Sequence, residues 1–404
     1  MPQGHFLAPH WRAALLLNAV MLLASMAVFA IPVMAPELAR SLEVSPTLLG
    51  GYSAILWIAS ILTITTAGHL ISRHGALRVS QLCLALCVAG LACATSGWLP
   101  GLALAALLIG LSQGLETPAS SALLAQLTPR ASQHWVFSVK QTGVQLGGIF
   151  AGILFPALLL ILGWRAALVS TLIACVLLIV LIGRLRRELE PPPMPHASTF
   201  GMREALRLVW VDRVLRRITI ASFGFITAQV CMNTFMVTYL VSDLSSSLVN
   251  AGRLFAAFQI GGFAGRLLWG ALCGRRLRAR SLLIGLGCAM TVLGLTLNVL
   301  SATTPGTVVL AVCIGCGLTA SGWNGIYLAE VARLSPKGEV GRVTGASFLC
   351  SSAGLILGPL LFSLVARSSH YGLAYVMTAG FSAIGVAALL LRPSSPAGTA
   401  TPPL

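Results

Sequence analysis

Long runs of apolar residues follow one another along the whole chain and are separated by short polar stretches. The runs are about 20 residues or longer, which is the length that a helix needs to cross the ~30 Å hydrocarbon core of a bilayer. The pattern predicts twelve transmembrane helices, at residues 12–35, 47–71, 78–96, 99–127, 134–161, 164–183, 217–241, 250–272, 281–300, 305–329, 341–366 and 371–391. The first run lacks a small-residue cleavage site after a short apolar core, so we interpret it as a retained helix rather than a signal peptide.

A polar segment at residues 184–216 interrupts this pattern near the middle of the chain. It begins with the basic stretch Arg184-Leu-Arg186-Arg187 and continues through Pro191-Pro192-Pro193, and such prolines stop a helix and favour extended backbone. We predict a six-helix bundle at residues 1–183, a cytoplasmic linker at 184–216, a second six-helix bundle at 217–392 and a disordered cytoplasmic tail at 393–404.

Composition excludes a soluble globular protein, and the distribution of charge orients the chain in a membrane. The sequence is 57% hydrophobic and 9% charged, with a mean hydropathy of +0.90, which is too apolar for a soluble domain. A net charge of +16 would suit a nucleic-acid partner, but no amphipathic element gathers the basic residues on one face.

The basic residues lie mainly in alternate connections between the predicted helices. One set of connections holds Arg73, Arg78, Arg130, the basic residues from Arg184 to Arg217, Arg275, Arg276, Arg278, Arg280, Arg333, Lys337 and Arg342. The other set holds only Arg40, Arg165 and Arg367, with Arg253 near a helix end. By the positive-inside rule, this asymmetry predicts that both termini and the linker are cytoplasmic, and it gives no reason to expect a nucleic-acid partner.

A short motif occurs twice, at a separation equal to half the length of the chain. Gly68-His-Leu70-Ile-Ser72-Arg73 returns as Gly270-Ala-Leu272-Cys-Gly274-Arg275, and 270 − 68 = 202 in a chain of 404 residues. Each copy closes an apolar run and leads into the next one. The repeat predicts two similar halves, related by a pseudo-twofold axis along the membrane normal, that enclose a pathway.

Two six-span halves, a long middle loop and this glycine–arginine motif resemble the major facilitator superfamily. The family's motif is matched here by Gly68, Leu70, Arg73 and Gly75, and in the second copy by Gly270, Leu272 and Arg275. Its usual acidic residue is replaced by Ser72 and Gly274, and its later glycine by Leu277 in the second copy. The resemblance implies an all-α membrane fold and a gating role for Gly68, Arg73, Gly75, Gly270 and Arg275. For the two arginines, a role in topology alone remains the alternative.

Charged residues inside the predicted helices carry the strongest functional signal, because each is costly in a bilayer unless it is paired or faces water. Glu116 and Lys140 lie in the fourth and fifth helices at comparable depth, and Arg266 lies in the eighth. A carboxylate cannot snorkel as far as a lysine, so we predict that Glu116 binds the coupling proton if transport is proton-driven. Lys140 either faces the pathway, pairs with Glu116 or reaches the interface.

Uncharged polar residues recur on single helix faces and mark a predicted lining. Gln141 and Gln145 are four residues apart, as are Gln229 and Asn233, and Asn324 and Tyr327 are three apart. In the family that the chain resembles, these helices line the central pathway. The predicted substrate-binding residues are therefore Lys140, Gln141, Gln145, Gln229, Asn233, Asn324 and Tyr327. Hydrogen bonding between helices is the alternative for each amide.

Three functional classes follow from these features. A secondary transporter of a small solute fits best, because no ATP-binding Gly-x-x-x-x-Gly-Lys-Ser/Thr motif occurs. The embedded cations favour an organic anion as substrate, carried by a symporter if transport is proton-coupled. A drug or metabolite efflux pump of the same fold and a non-transporting sensor or scaffold are the alternatives. An enzyme is not expected, since no nucleophile or metal-ligand cluster occurs and Cys313 and Cys316 fit apolar packing. We expect a monomer in a bacterial inner membrane, in contact with lipid and, for proton-driven transport, with protons, and without a cofactor or metal.

Overall fold

The computed structural model describes residues 8–129, 132–190, 202–273, 277–335 and 340–391. Within these ranges the chain forms helices and no β-strand; an isolated bridge joins Cys273 to Leu277. The helices are α1 (Pro9–Ser41), α2 (Leu49–His74), α3 (Ala76–Thr95), α4 (Leu99–Leu127), α5 (Gln133–Leu162), α6 (Trp164–Leu189), α7 (Met202–Val211), α8 (Arg213–Ser242), α9 (Leu248–Leu272), α10 (Ala279–Val299), α11 (Gly306–Ala320), α12 (Trp323–Leu334), α13 (Val340–Ser368) and α14 (Tyr371–Leu390). The predicted all-α membrane fold is confirmed.

Each predicted transmembrane helix has a counterpart among these elements. Eleven of the described segments are long and apolar enough to cross a membrane, and one of them joins α11 to α12 as a single span. The twelfth span is α9, whose 25 residues include Arg253, Gln259 and Arg266. These polar residues explain why α9 is the least obvious span by hydropathy.

The predicted linker, residues 184–216, is more helical than its proline content suggests. Helix α6 continues to Leu189, and the ten-residue helix α7 precedes α8. Asp212 begins α8, because its carboxylate accepts the N–H groups of Val214 and Leu215, both at 2.8 Å. Residues 191–201, and the predicted tail at 393–404, lie outside the described residues.

The spans pack as two bundles with equivalent internal contacts. In the first bundle, α1 packs along α5 and α2 along α4; in the second, α8 packs along α13 and α9 along α11. The helices alternate in direction, so the bundle has two ends, which we call the Pro9 side and the Ser41 side after the ends of α1. Arg12 pairs with Glu188 on the Pro9 side, whereas Asp243 accepts the N–H of Gly372 on the Ser41 side.

The two bundles meet along α5 and α9 and along α2 and α13, which are equivalent pairs under the twofold relation. Small residues allow the close approach. A Cβ added to Gly152 would lie 2.6 Å from the carbonyl oxygen of Gly252, and one added to Gly50 would lie 2.5 Å from that of Pro359. The sequence pair Gly148 and Gly152 therefore packs α5 against α9. Gly50 and Gly252 lie toward the Ser41 side, as does Gly152.

Candidate functional site

A buried ion pair lies inside the first bundle, where α4 and α5 face each other. Lys140 Nζ lies 3.3 Å from Glu116 Oε2, and the two side chains are 1% and 3% exposed. Glu116 Oε2 also accepts the hydroxyl of Thr117 at 3.0 Å, and Lys140 donates to Gln141 Oε1 at 3.3 Å. Glu116 Oε1 is buried and has no hydrogen-bond partner within the part of the chain that the structure describes. Burial of this kind requires both charges together, since either alone would be strongly unfavourable.

Helix α1 holds α5 in position beside this pair. Asn18 Nδ2 donates to the carbonyl oxygen of Val139 at 2.7 Å and to Thr142 Oγ1 at 3.0 Å. The approach depends on Gly143, where an added Cβ would lie 2.6 Å from the carbonyl oxygen of Asn18. Asn18 is thus a hydrogen-bonding contact between helices, the alternative considered for embedded amides.

Arg266 brings a second cation to the junction of the bundles. It lies on α9, and its guanidinium faces α5. In the amide orientation that satisfies both side chains, Gln145 Oε1 accepts from Arg266 Nε at 3.1 Å and from Nη2 at 3.3 Å. Among the described residues, no carboxylate oxygen lies within ion-pair distance of Arg266. Arg266 is also near enough to Lys140 for the two positive charges to interact.

Four amide side chains form a connected group in the second bundle. Asn324 Nδ2 donates to Gln229 Oε1 at 3.3 Å, and Gln259 Nε2 donates to Asn233 Oδ1 at 2.9 Å. Asn233 also donates to the carbonyl oxygen of Gln229 at 2.9 Å. Gln229, Asn233 and Asn324 are partly exposed in the middle of long apolar helices. Gln259 is buried against Gly148 of α5, so this group reaches the boundary between the bundles.

The tenth span is interrupted beside this group, at Ser321 and Gly322 between α11 and α12. Trp269 of α9 covers the interruption and donates its Nε1–H to the carbonyl oxygen of Leu318 at 2.9 Å. A discontinuous helix in mid-membrane leaves backbone groups available to a ligand. Trp323 directly follows the break but is 1% exposed and packs edge-on against Phe225, so it belongs to the core.

The structure brings most of the predicted binding residues into two groups and separates one of them. Lys140 and Gln141 lie with Glu116, and Gln229, Asn233 and Asn324 lie together, while Gln145 bridges the bundles through Arg266. Tyr327 is 3% exposed, and its hydroxyl lies 2.6 Å from Ser347 Oγ inside the second bundle.

Three residues of the site, Gln259, Arg266 and Thr117, were not among the predicted binding residues. Arg266 lies seven residues after Gln259, and this spacing puts both on one helix face, a signal that could have revealed it. Thr117 gave no signal, because its contact with Glu116 depends on side-chain orientation.

The predicted gating residues that the structure describes, Gly68, Arg73, Gly75 and Gly270, lie at the Pro9 side of the molecule. Gly75 is the single residue between α2 and α3, with φ of +87° and ψ of 158°, a conformation that is essentially restricted to glycine. Its open side is covered by the carboxylate of Glu190, which accepts the N–H of Leu77 at 2.8 Å. Arg73 is exposed, and Gly270 has open space where a Cβ would lie. Arg275 lies outside the described residues, as does Gly274.

A comparison with protein-family models identifies the family to which this sequence corresponds. The model of the Major Facilitator Superfamily matches residues 17–358. No curated protein matches the sequence.

Solved structures of transporters superpose on almost the whole chain. A bacterial homologue of the human lysosomal transporter Spinster, in an inward-facing and unoccupied conformation, has a TM-score of 0.74 at 15% identity and covers 94% of this chain and 96% of its own. A mutant of the nucleoside transporter NupG has a TM-score of 0.77 at 15% identity, covering 93% and 98%. A POT family transporter in complex with 5-aminolevulinic acid has a TM-score of 0.73 at 12% identity, covering 94% and 95%. At these identities the likeness shows the fold alone.

Proposed function

The chain belongs to the Major Facilitator Superfamily, and we propose that it carries a small organic anion across a bacterial inner membrane by alternating access. It is a secondary transporter embedded in a membrane, not an enzyme. The anion follows from the charge balance where α5 meets α9: Lys140 and Arg266 lie near each other, and among the described residues the one carboxylate beside them is Glu116. Arg266 has only the uncharged Gln145 as its partner there, and an anionic substrate supplies the missing negative charge.

The contacts of the substrate come from both bundles. Lys140, Gln141 and Gln145 of α5 provide the positive and polar side, while the partly exposed Gln229, Asn233 and Asn324 provide amide donors and acceptors opposite. Tyr327 contributes indirectly, since its bond to Ser347 holds α12 against α13. Hydrogen bonds to a charged group are worth about 1.5–3 kcal/mol, so loss of one weakens binding roughly ten- to hundredfold.

The arginine distribution supports an orientation with the Pro9 side in the cytoplasm. The close glycine contacts lie toward the Ser41 side, which supports a conformation closed on that side and open to the cytoplasm. Cysteine-accessibility labelling tests the orientation: a cysteine introduced at Glu188 reacts only with permeant reagents in intact cells. Reaction with an impermeant reagent added outside contradicts the topology.

A binding screen tests the substrate class. Purified protein is heated with small carboxylates, nucleobase-like compounds, sugars or cationic drugs, because a ligand stabilises the state that it binds in proportion to ln(1 + [L]/Kd). We expect stabilisation by carboxylates, followed by counterflow of the same compounds in proteoliposomes. Stabilisation by cationic drugs alone would favour the efflux pump, and absence of counterflow for every ligand that binds would favour a non-transporting sensor.

The proposed transport is coupled to protons, and this coupling depends on Glu116. Its Oε1, which has no hydrogen-bond partner among the described residues, can take a proton, and the charge of Lys140 is then compensated by the anionic substrate instead. Glu116→Gln is expected to abolish accumulation driven by a proton gradient and to leave counterflow intact. Glu37→Gln, at the exposed end of α1, serves as the matched control and leaves both intact. Unchanged accumulation in Glu116→Gln would remove this residue from coupling.

A further inference from the structure

The guanidinium of Arg266 directs two donors, Nε–H and Nη2–H, toward a single amide oxygen. We call this pair of donors the fork of Arg266. Its Nε and Nη2 donors share Gln145 Oε1 at 3.1 and 3.3 Å, both longer than a charge-assisted bond. Arg266 is partly buried in the membrane region, and the carboxylate nearest in the site, Glu116, is already bonded to Lys140 and Thr117. The guanidinium is therefore charged, partly desolvated and, among the described residues, without a carboxylate partner.

The shape of this fork selects among anions. Nε–H and Nη2–H point in parallel, so two oxygens of one planar acid can each take one donor. One amide oxygen serves both donors poorly and carries no charge. A carboxylate neutralises the guanidinium and offers one oxygen to each donor. A neutral amide with the same carbon skeleton has neither the negative charge nor the second oxygen.

On the basis of the proposed transport function, we propose that Arg266 is the carboxylate receptor of the transporter and that Gln145 occupies its fork in the empty state. A substrate carboxylate takes the two donors and displaces the Gln145 oxygen. Because Gln145 belongs to α5 and Arg266 to α9, this exchange replaces a bond between the bundles with a bond to substrate. Substrate binding thereby alters the contact between the halves at the point where they must separate.

The first test compares acids with their own amides. Thermal stability of the purified full-length protein is measured with benzoate and benzamide, nicotinate and nicotinamide, and pyruvate and pyruvamide, and with inorganic phosphate and sulfate. At least one acid is expected to stabilise the protein with an affinity roughly tenfold or more above that of its amide. Arg266→Gln is expected to abolish this preference, while Arg253→Gln, on the same helix but exposed, retains it. Equal preference in Arg266→Gln overturns the proposal, as does stabilisation by phosphate and sulfate with none by the carboxylates.

The second test introduces a carboxylate side chain at the position of Gln145. Gln145→Glu places a carboxylate at the fork, so it is expected to raise the melting temperature and to remove the response to added acids. The rise is expected to vanish in the Gln145→Glu/Arg266→Gln background, which shows that it arises from that contact. A rise that persists there contradicts the assignment, and so does an undiminished response to acids in Gln145→Glu alone.

The outcomes separate this inference from the function on which it rests. If carboxylates bind and are exchanged in counterflow but do so independently of Arg266, the transport proposal stands and the receptor assignment fails. If no compound of the wider screen binds or is exchanged, the proposed function fails instead. Arg266→Lys is the second variant, to be used if Arg266→Gln does not fold. It keeps the positive charge but lacks the two parallel donors, so it is expected to bind acids without distinguishing carboxylate from phosphate.

Discussion

At the residue scale, the ion pair between Lys140 and Glu116 is almost completely removed from water, with side-chain exposures of 1% and 3%. A pair of this kind adds little net stability, because desolvation of both charges offsets their attraction. Removal of one partner is different, since the other charge is then buried and uncompensated. Replacing either residue alone is therefore expected to lower the free energy of unfolding strongly, whereas replacing both together changes it little.

Lys140→Met is accordingly expected to lower the free energy of unfolding by about 3–5 kcal/mol, and Glu116→Gln/Lys140→Met to recover most of that loss. Unfolding in detergent with a denaturant series measures both. Arg40→Met is the control, because Arg40 and its partner Glu37 are 74% and 39% exposed, so that loss of the pair costs at most about 1 kcal/mol. A double variant as unstable as Lys140→Met would contradict the pairing. If stability recovers while transport does not, Lys140 also contacts the substrate.

At the element scale, the turn between α2 and α3 shows how a motif can keep its geometry with a different acid. The family's acidic position is Ser72 here, so the motif itself supplies no negative charge. Glu190, at the end of α6, instead covers Gly75 and accepts the N–H of Leu77 in the first turn of α3. It also pairs with Arg186 at 3.2 Å. A carboxylate at a helix N-terminus is favourable for the same reason that an N-cap is.

Gly75→Ala tests this turn, and Gly270→Ala, at a glycine of the second motif copy, is its control. The backbone conformation of Gly75 and the contact with Glu190 both oppose a side chain, so the variant is expected to lose about 1–3 kcal/mol of stability. Gly270→Ala is expected to be neutral or to gain up to about 1 kcal/mol, because Gly270 lies within α9 with open space around its Cβ position. Melting temperatures of the two variants measure the difference, and a loss in Gly270→Ala equal to that in Gly75→Ala would contradict this account.

The same elements show what the sequence could and could not predict. Runs of apolar residues are sufficient for the helices, because a bilayer requires every backbone group in the span to be bonded within its own segment. The break at Ser321 and Gly322 was not predicted, since it consists of small residues within an otherwise continuous span. The contact of Glu190 with Leu77 joins positions 113 residues apart, and the contact of Gln145 with Arg266 joins two bundles. Such contacts depend on packing, which hydropathy does not encode. The charged positions were visible, but their partners were not.

At the scale of the whole molecule, the relation between the bundles decides how a site inside the membrane exchanges with either side. Their contacts are equivalent under the twofold relation: α5 with α9 and α13 with α2. Glycines at these contacts leave backbone facing backbone, so few interlocking side chains oppose separation. A rocking motion of one bundle against the other changes these contacts and leaves the internal packing of each bundle intact.

A reversible cross-link on the Ser41 side tests whether transport requires this motion. A Cβ at Gly50 would lie 2.8 Å from that of Ser363, closer than the ~3.5–4.5 Å of a disulfide, so Gly50→Cys/Ser363→Cys forms a disulfide between α2 and α13 after a small outward shift of these helices. Oxidation is expected to stop counterflow in proteoliposomes, because the Ser41 side can no longer open, and a reductant is expected to restore it. Gly50→Cys alone and Ser363→Cys alone are the controls for oxidation of the native cysteines. The cross-linked protein should still bind substrate from the Pro9 side, measured by thermal stabilisation, because that side stays accessible. Full counterflow in the cross-linked protein would mean that the bundles do not separate there, and alternating access across this interface would have to be abandoned.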